Sequence, residues 1–140
     1  MTSSTVPEWD DVLTQPRRPA GDLRRTDIPD GPDVYAWFRD GACVYLGKAS
    51  DLRSRLSTHL GKSLDLNRST LRSWVAVREL GVTREYTRRR PTVMTSSEVA
   101  IVTGWIRGCD VAWVTTDSKE DDARLESKLL AAWRPPINVA

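Results

Sequence analysis

The sequence predicts an α+β fold, a small three-stranded antiparallel sheet flanked by helices. Three observations carry this. Two short alternating segments, Val34 to Phe38 and Ala42 to Leu46, close around Arg39-Asp40-Gly41. A third β-branched segment, Val111 to Thr116, stands far downstream. The stretches between and after them carry apolar residues at helical spacing, opened by capping residues and closed by glycine or proline.

In chain order, residues 1–27 read as a polar N-terminal arm, with Pro7, Pro16 and Pro19 and no clear periodicity. Ile28 to Pro32 (IPDGP) is turn material leading into the first strand. A three-residue hairpin loop with Gly41 in the left-handed position pairs Tyr35 with Tyr45. It puts Val34, Ala36, Phe38, Val44 and Leu46 on one apolar face and Tyr35, Trp37, Cys43 and Tyr45 on the other. Gly47 ends the second strand, and Ser50 is the expected N-cap of a helix over 51–60 with Leu52, Leu56 and Leu60 on one stripe. Arg55 and His59 lie along its edge, one turn apart.

Residues 62–110 read as a helical insertion. It holds a helix over 69–80, an Arg-rich loop over 84–90, and a helix to Arg107 opened by the capping box Thr95 to Glu98 with Met94 and Val99 as staple. Ser118 and Asp121 open a last helix over 119–133, which Pro135 and Pro136 stop. The folded domain is expected over 28–140.

The chain has 140 residues, enough for one core without disulfide help. Cys43 and Cys109 match no metal spacing and read as buried thiols of a reducing cytoplasm. No apolar run approaches the roughly 20 residues of a membrane span, so no membrane partner is expected. Net charge is only +2, but arginine clusters at Arg17, Arg18, Arg24 and Arg25 and again at Arg84, Arg88, Arg89 and Arg90. A near-neutral total therefore leaves room for a basic face suited to phosphate, although Arg-rich base composition accounts for the count equally well.

The chemistry-bearing residues are individually ordinary. Two facing tyrosines also make a stabilising aromatic pair. Glu126, set in the apolar stripe of the last helix one turn before Leu130, needs either an arginine partner or a metal. Their order and spacing say more. Asp33-Val34-Tyr35 precedes Tyr45-Leu46-Gly47 so that the tyrosines are ten apart, Arg55 follows ten later, His59 four beyond, and Glu126 and Asn138 close the chain. This set resembles the GIY-YIG nuclease superfamily, as a small stand-alone catalytic domain. Asp33 departs from the glycine usual there, and His59 is similar to the restriction-enzyme branch.

The resemblance implies a metal-dependent DNA endonuclease. Glu126 would hold one Mg²⁺ (or Mn²⁺). Tyr35 would take the proton of the attacking water, Tyr45 would orient water or phosphate, and Arg55 would bind the scissile phosphate. His59 would position Tyr35 or bond a phosphate oxygen, Asn138 would brace the site, and Lys48 would assist water activation. Arg84, Arg88, Arg89 and Arg90, with Arg72 and Arg78 on the 69–80 helix, are the expected contacts to DNA backbone. The competing expectation is an inactive DNA-binding or partner-recruiting module on the same fold. A protein partner or a homodimer would supply targeting.

Overall fold

The computed structural model describes residues 6–138. Residues 1–5 of the predicted arm and 139–140 of the predicted domain lie outside the described residues. The helices are α1 (Pro7–Leu13), α2 (Leu52–His59), α3 (Thr70–Leu80), α4 (Arg84–Thr87), α5 (Ser96–Arg107) and α6 (Lys119–Ala132). The strands are β1 (Arg18–Pro19), β2 (Asp33–Arg39), β3 (Ala42–Ala49) and β4 (Asp110–Thr115). They form one antiparallel sheet in the order β1-β4-β2-β3.

The α+β class holds, with four strands rather than three. The additional strand is β1, supplied by the segment read as an arm; two residues are too short to show period-2 patterning. Pro19 sits there at the sheet edge, where a missing N–H is tolerated. The same segment contains α1. Its Pro7 lies in the first turn, where a proline costs no hydrogen bond. Trp9 and Val12, three apart, are buried against the sheet. The Trp9 indole Nε1 donates to the Leu129 carbonyl at 2.9 Å, and its ring meets Trp133 edge-on at 5.3 Å. Lys128 donates to Glu8 at 2.7 Å. The arm therefore clamps α6.

The hairpin also differs from expectation. Its loop is the two residues Asp40 and Gly41, both with positive φ (51° and 84°), the conformation of a tight hairpin turn. Tyr35 then pairs with Gly47, and Tyr45 with Trp37. The register shifts by one between Trp37 and Phe38, so Val44 is the extra residue of a bulge. The bulge reconciles the short loop with the apolar patterning that favours the longer one. Val34, Ala36, Phe38 and Leu46 remain on one face, Tyr35, Trp37 and Tyr45 on the other, and only Cys43 and Val44 exchange sides.

Both faces are covered. Val34, Ala36, Phe38, Cys43 and Leu46 pack with Trp9, Val12 and Leu129 of α1 and α6. Tyr35, Trp37 and Tyr45 pack with Leu52 and Leu56 of α2, Leu71 and Val75 of α3, and Val99 and Val102 of α5. Covering both faces of β2 leaves every residue of it buried except Arg39, which is half-buried. Asp51, not Ser50, caps α2 by accepting from the Ser54 N–H. Ser69, Thr95 and Ser118 cap α3, α5 and α6, with the predicted box at Thr95 and Glu98 in place. The Arg-rich stretch predicted as loop contains the short α4, because Thr83 supplies an N-cap that composition alone hides.

Candidate active site

Tyr35, Tyr45, Gly47, Lys48, Arg55, His59, Thr70 and Glu126 line one cleft of about 180 Å³. Five elements deliver them. β2 gives Tyr35, β3 gives Tyr45, Gly47 and Lys48, α2 gives Arg55 and His59 from consecutive turns, α3 gives Thr70 and α6 gives Glu126. The two tyrosines lie on the same sheet face, offset by two residues in the ladder, with ring centroids 6.4 Å apart.

Gly47 does not end β3; it lies inside it. Its glycine is required by close approach, since a Cβ there would meet Tyr35 Cζ and Oη at 2.4 Å each. The Tyr35 ring therefore lies across the backbone of the neighbouring strand. From that seat Tyr35 Oη reaches His59 Nε2 at 2.6 Å, and His59 Nδ1 reaches Ser69 Oγ at 2.6 Å. Tyr35, His59 and Ser69 are all buried. Ser69 also accepts from the Arg72 N–H at 3.0 Å as the N-cap of α3.

Electrostatics follow from burial. The Tyr35 hydroxyl is held well above its ordinary value, first by burial, then by Tyr45 and Glu126, against the lowering effect of Arg55. Tyr45 is pushed up to about 12, again by burial first, with Glu126 raising and Arg55 lowering it. His59 is pushed down to about 3 by burial, then by Arg55 and Arg72, so its imidazole is neutral. The Glu126 carboxyl is raised by burial, while Lys48 pulls it back.

Glu126 is half-buried in the cleft and has no hydrogen-bond or ion-pair partner among the described residues. The arginine partner that would explain it blandly is absent there. No group of three or more His, Cys, Asp or Glu side chains able to hold a metal occurs among the described residues. A lone carboxylate facing a solvent-open cleft suits Mg²⁺, which keeps much of its hydration. The guanidinium of Arg55 likewise has no protein partner among the described residues and is exposed at the cleft, available to an anion.

Asn138 lies behind the cleft. Its Oδ1 accepts from the Leu46 N–H at 2.7 Å and its Nδ2 donates to the Leu46 carbonyl at 2.8 Å, between Tyr45 and Gly47. Ile137 N–H donates to the Val44 carbonyl at 2.9 Å, the group exposed by the bulge.

The predicted basic contacts divide. Arg84, Arg88, Arg89 and Arg90 line a common groove with Asn67 and Glu85, and Arg84 acts electrostatically on Tyr45. Arg78 is exposed near the end of α3. Arg72 is not a surface contact: it is 1% exposed, donating to the Ser63 carbonyl at 2.9 Å and to Thr103 at 3.3 Å. Its spacing from Leu71 and Val75 turns it inward, where it ties the 61–65 connection to α5.

Several residues of the site escape a reading of the sequence. Ser69 is visible there only as a helix start, Thr70 carries no chemical signature, and Gly47 is legible as part of the Tyr45-Leu46-Gly47 set but not as the seat of the Tyr35 ring. Arg68 lines a cleft shared with Arg55 and a second one with Lys62, extending the basic lining outward from the site. Asp33 and Asp122 are both buried, and Asp33 has no partner for either oxygen. Asp33 is pushed up to about 7 by burial and by Asp122.

The sequence matches the family model of the GIY-YIG catalytic domain over residues 33–140. It is 28% identical over 130 residues to a UvrABC system protein C from a Synechococcus species, covering 91% of this chain and 14% of that protein. It is 39% identical over 49 residues to the UvrABC system protein C of Flavobacterium johnsoniae, covering 34% of this chain and 8% of that protein. The chain thus spans about a tenth of the length of the curated relatives it matches. No solved structure matches it.

Proposed function

The chain belongs to the GIY-YIG catalytic domain family, and from that premise we propose that it is a metal-dependent endonuclease hydrolysing phosphodiester bonds in DNA. The observation that carries this reading is the gathering of Tyr35, Tyr45, Arg55, His59 and Glu126, drawn from both ends of the domain, onto one small cleft.

Hydrolysis of a phosphodiester requires a deprotonated water in line with the leaving oxygen and compensation for charge developing on the phosphoryl group. Arg55 suits the second requirement, since its free guanidinium offers paired N–H donors matched to phosphate oxygens. Tyr35, once ionised with its own proton lost to solvent through the cleft, would accept the water proton, with His59 bonded to its oxygen. Tyr45, two residues away in the ladder, orients the attacked phosphate or the water. Glu126, partnerless and half-buried, would hold Mg²⁺ or Mn²⁺. Held there, such an ion would supply positive charge to offset that of the phosphate and of Glu126, whose carboxylate raises both tyrosines. Lys48 shares the field around Glu126 and assists.

Arg84 with Arg88, Arg89 and Arg90 on one side, and Arg68 with Lys62 on the other, suit DNA backbone leading to and from the cleft. Residues 28–140 form the catalytic unit in this reading, with 62–110 as the variable part that meets substrate. The relatives are named as one component of a UvrABC system, and we extend to this chain a dependence on partner proteins for targeting. No described helix is long and apolar enough to cross a membrane. The two buried free thiols accord with a cytoplasmic setting.

The test is cleavage of supercoiled plasmid, branched DNA and RNA with Mg²⁺, with Mn²⁺ and with chelator. Tyr35→Phe, Arg55→Ala and Glu126→Ala should each lower cleavage by about a hundredfold or more. Salt-sensitive DNA binding with no cleavage under any divalent ion would replace this reading with that of a binding module.

A further inference from the structure

We propose that Arg84 is a second arginine of the catalytic cleft, gripping from α4 the same phosphate that Arg55 grips from α2. The proposal deepens the nuclease reading and rests on it for the identity of that phosphate.

Arg84 is held in place before any ligand arrives. Its backbone carbonyl accepts from the Thr87 hydroxyl at 2.7 Å. Thr87 is fully buried and hydrogen-bonded in turn to the Ser73 hydroxyl of α3. The guanidinium carbon of Arg84 lies 4.5 Å from the centre of the Trp74 ring, and Trp74 packs on the core cluster that contains Tyr45. Trp74 stands one helical turn beyond Thr70, which lines the cleft, so the two share a helix face. Asn67, three residues before Thr70, lines the groove that holds Arg84. Groove and cleft are therefore neighbours along one edge of α3. The charges of Arg55 and Arg84 both reach the Tyr45 hydroxyl, each favouring its ionised form.

The fixed guanidinium has an unmet demand. Arg39, stacked on Trp105, also donates to a backbone carbonyl at 2.8 Å. Arg17, stacked on Phe38, donates to the Gly41 carbonyl at 3.1 Å. Arg18, stacked on Trp113, is exposed to water. Arg84 is half-buried, its guanidinium enters no hydrogen bond or ion pair among the described residues, and its Nε is buried without a partner. An orphaned buried donor is costly. The nearby acid, Glu85, pairs with Arg89 at 3.8 Å, and Arg88 adds repulsion. A phosphate oxygen beside Tyr45 meets both needs, as an acceptor for the fork and as a counter-charge. The exposed Arg88, Arg89 and Arg90 are left to the backbone beyond. The helical middle then supplies charge at the reacting group as well as affinity for what surrounds it.

The test is a double-mutant cycle read as binding of a short labelled DNA duplex, by fluorescence anisotropy with chelator present so that nothing is cut. If Arg55 and Arg84 share one phosphate, their losses should not multiply. The Arg55→Ala, Arg84→Ala double variant should fall short of the product of the single losses by about threefold or more, whereas contacts to separate phosphates multiply to within roughly twofold. Arg55→Ala with Arg89→Ala gives that multiplicative comparison. With Mg²⁺ and saturating DNA, Arg84→Ala should lower kcat by about a hundredfold, as loss of a donor to developing charge does. Arg84→Lys, which keeps the charge but not the flat fork, should recover only part of it. Should Arg84→Ala fail to fold by circular dichroism, Arg84→Lys takes its place in the cycle. Multiplying losses in the Arg55 and Arg84 cycle, or a folded Arg84→Ala protein altered only in KM, overturns the proposal and leaves the nuclease reading standing. Coupled losses in a protein that cuts nothing uphold the shared phosphate and sink only the nuclease reading. A protein that binds no DNA overturns both.

Discussion

The tightest constraint on the cleft is the contact between Gly47 and the Tyr35 ring, and Gly47→Ala is the substitution that measures it. The added methyl would stand 2.4 Å from Tyr35 Cζ and Oη and 3.0 Å from Cε1, whereas ordinary contact begins at 3.4 Å. The ring must withdraw by about 1 Å or β3 must bow away from β2. Either movement stretches the 2.6 Å bond to His59 beyond hydrogen-bonding range. Because Tyr35 is buried and wedged against Tyr45 and His59, the strain has nowhere to go cheaply. Overpacking of this kind costs about 1–3 kcal/mol. The lost hydrogen bond adds about 1 kcal/mol. For a domain of this size the sum lowers the unfolding midpoint by roughly 5–15 °C. If Tyr35 is the base proposed above, misplacing its oxygen by about 1 Å should lower plasmid cleavage about a hundredfold. Both are read on one preparation, by circular dichroism melting and by nicking below the melting range. In a Tyr35→Ala background the same methyl meets no ring, and its stability cost should vanish. A Gly47→Ala protein that melts and cleaves like the unmodified one would refute the reasoning, as would an equal cost in both backgrounds.

Asp33 has its carboxyl raised to about 7 from an ordinary 3.8. The penalty for burying its charge is therefore absent below about pH 4 and complete above about pH 7, where it reaches up to about 4 kcal/mol. Urea titrations should show stability falling as pH rises through that window, and Asp33→Asn should flatten the slope; an unchanged slope would free Asp33 of responsibility. Replacing Arg88, Arg89 and Arg90 together by alanine should reduce the salt dependence of DNA binding by about 0.9 per lost phosphate contact. Arg72→Ala should instead destabilise the fold with the salt slope intact, since Arg72 is buried. Trp9→Ala should cost about 3–5 kcal/mol and raise the Mg²⁺ concentration needed for half-maximal cleavage, because Trp9 anchors the helix bearing Glu126. An unaltered metal titration in that variant would separate α1 from the site.

Much of the fold is legible in the sequence because its signals are local. The strand alternation at Val34 to Phe38, the capping box at Thr95 and the Ser118 cap each depend on neighbours a few residues away, and each is where expected. What escapes depends on distance. In a regular ladder the two-residue loop splits the apolar set, and a bulge, which no single-sequence pattern announces, restores it. The arm looks polar because α1 buries only Trp9 and Val12. Within the site, the order of Tyr35, Tyr45, Arg55, His59 and Glu126 points to one cleft through family resemblance. Ser69 does not stand out, because a serine opening a helix is ordinary; only the 2.6 Å approach of His59 distinguishes it. Arg72 reads as a surface contact because a charged residue on a helix is assumed to face water, whereas here backbone and hydroxyl acceptors receive it inside.

The docking of Ile137 and Asn138 on β3 also dictates an order of assembly. Tyr35, Tyr45, His59 and Ser69 can find one another within a short span of chain. The bonds that bring the far end home cross much longer intervals, 92 residues from Leu46 to Asn138 and 120 from Trp9 to Leu129. Long-range closures of this kind come late in folding. The carboxylate at Glu126 sits on α6, just before these closures, and belongs to the part of the molecule whose release would expose the β3 edge. A partly folded or transiently opened chain would keep its tyrosines together but lack the carboxylate that the proposed mechanism gives to the cation. On the nuclease reading, competence to cleave would come only with completion of the fold.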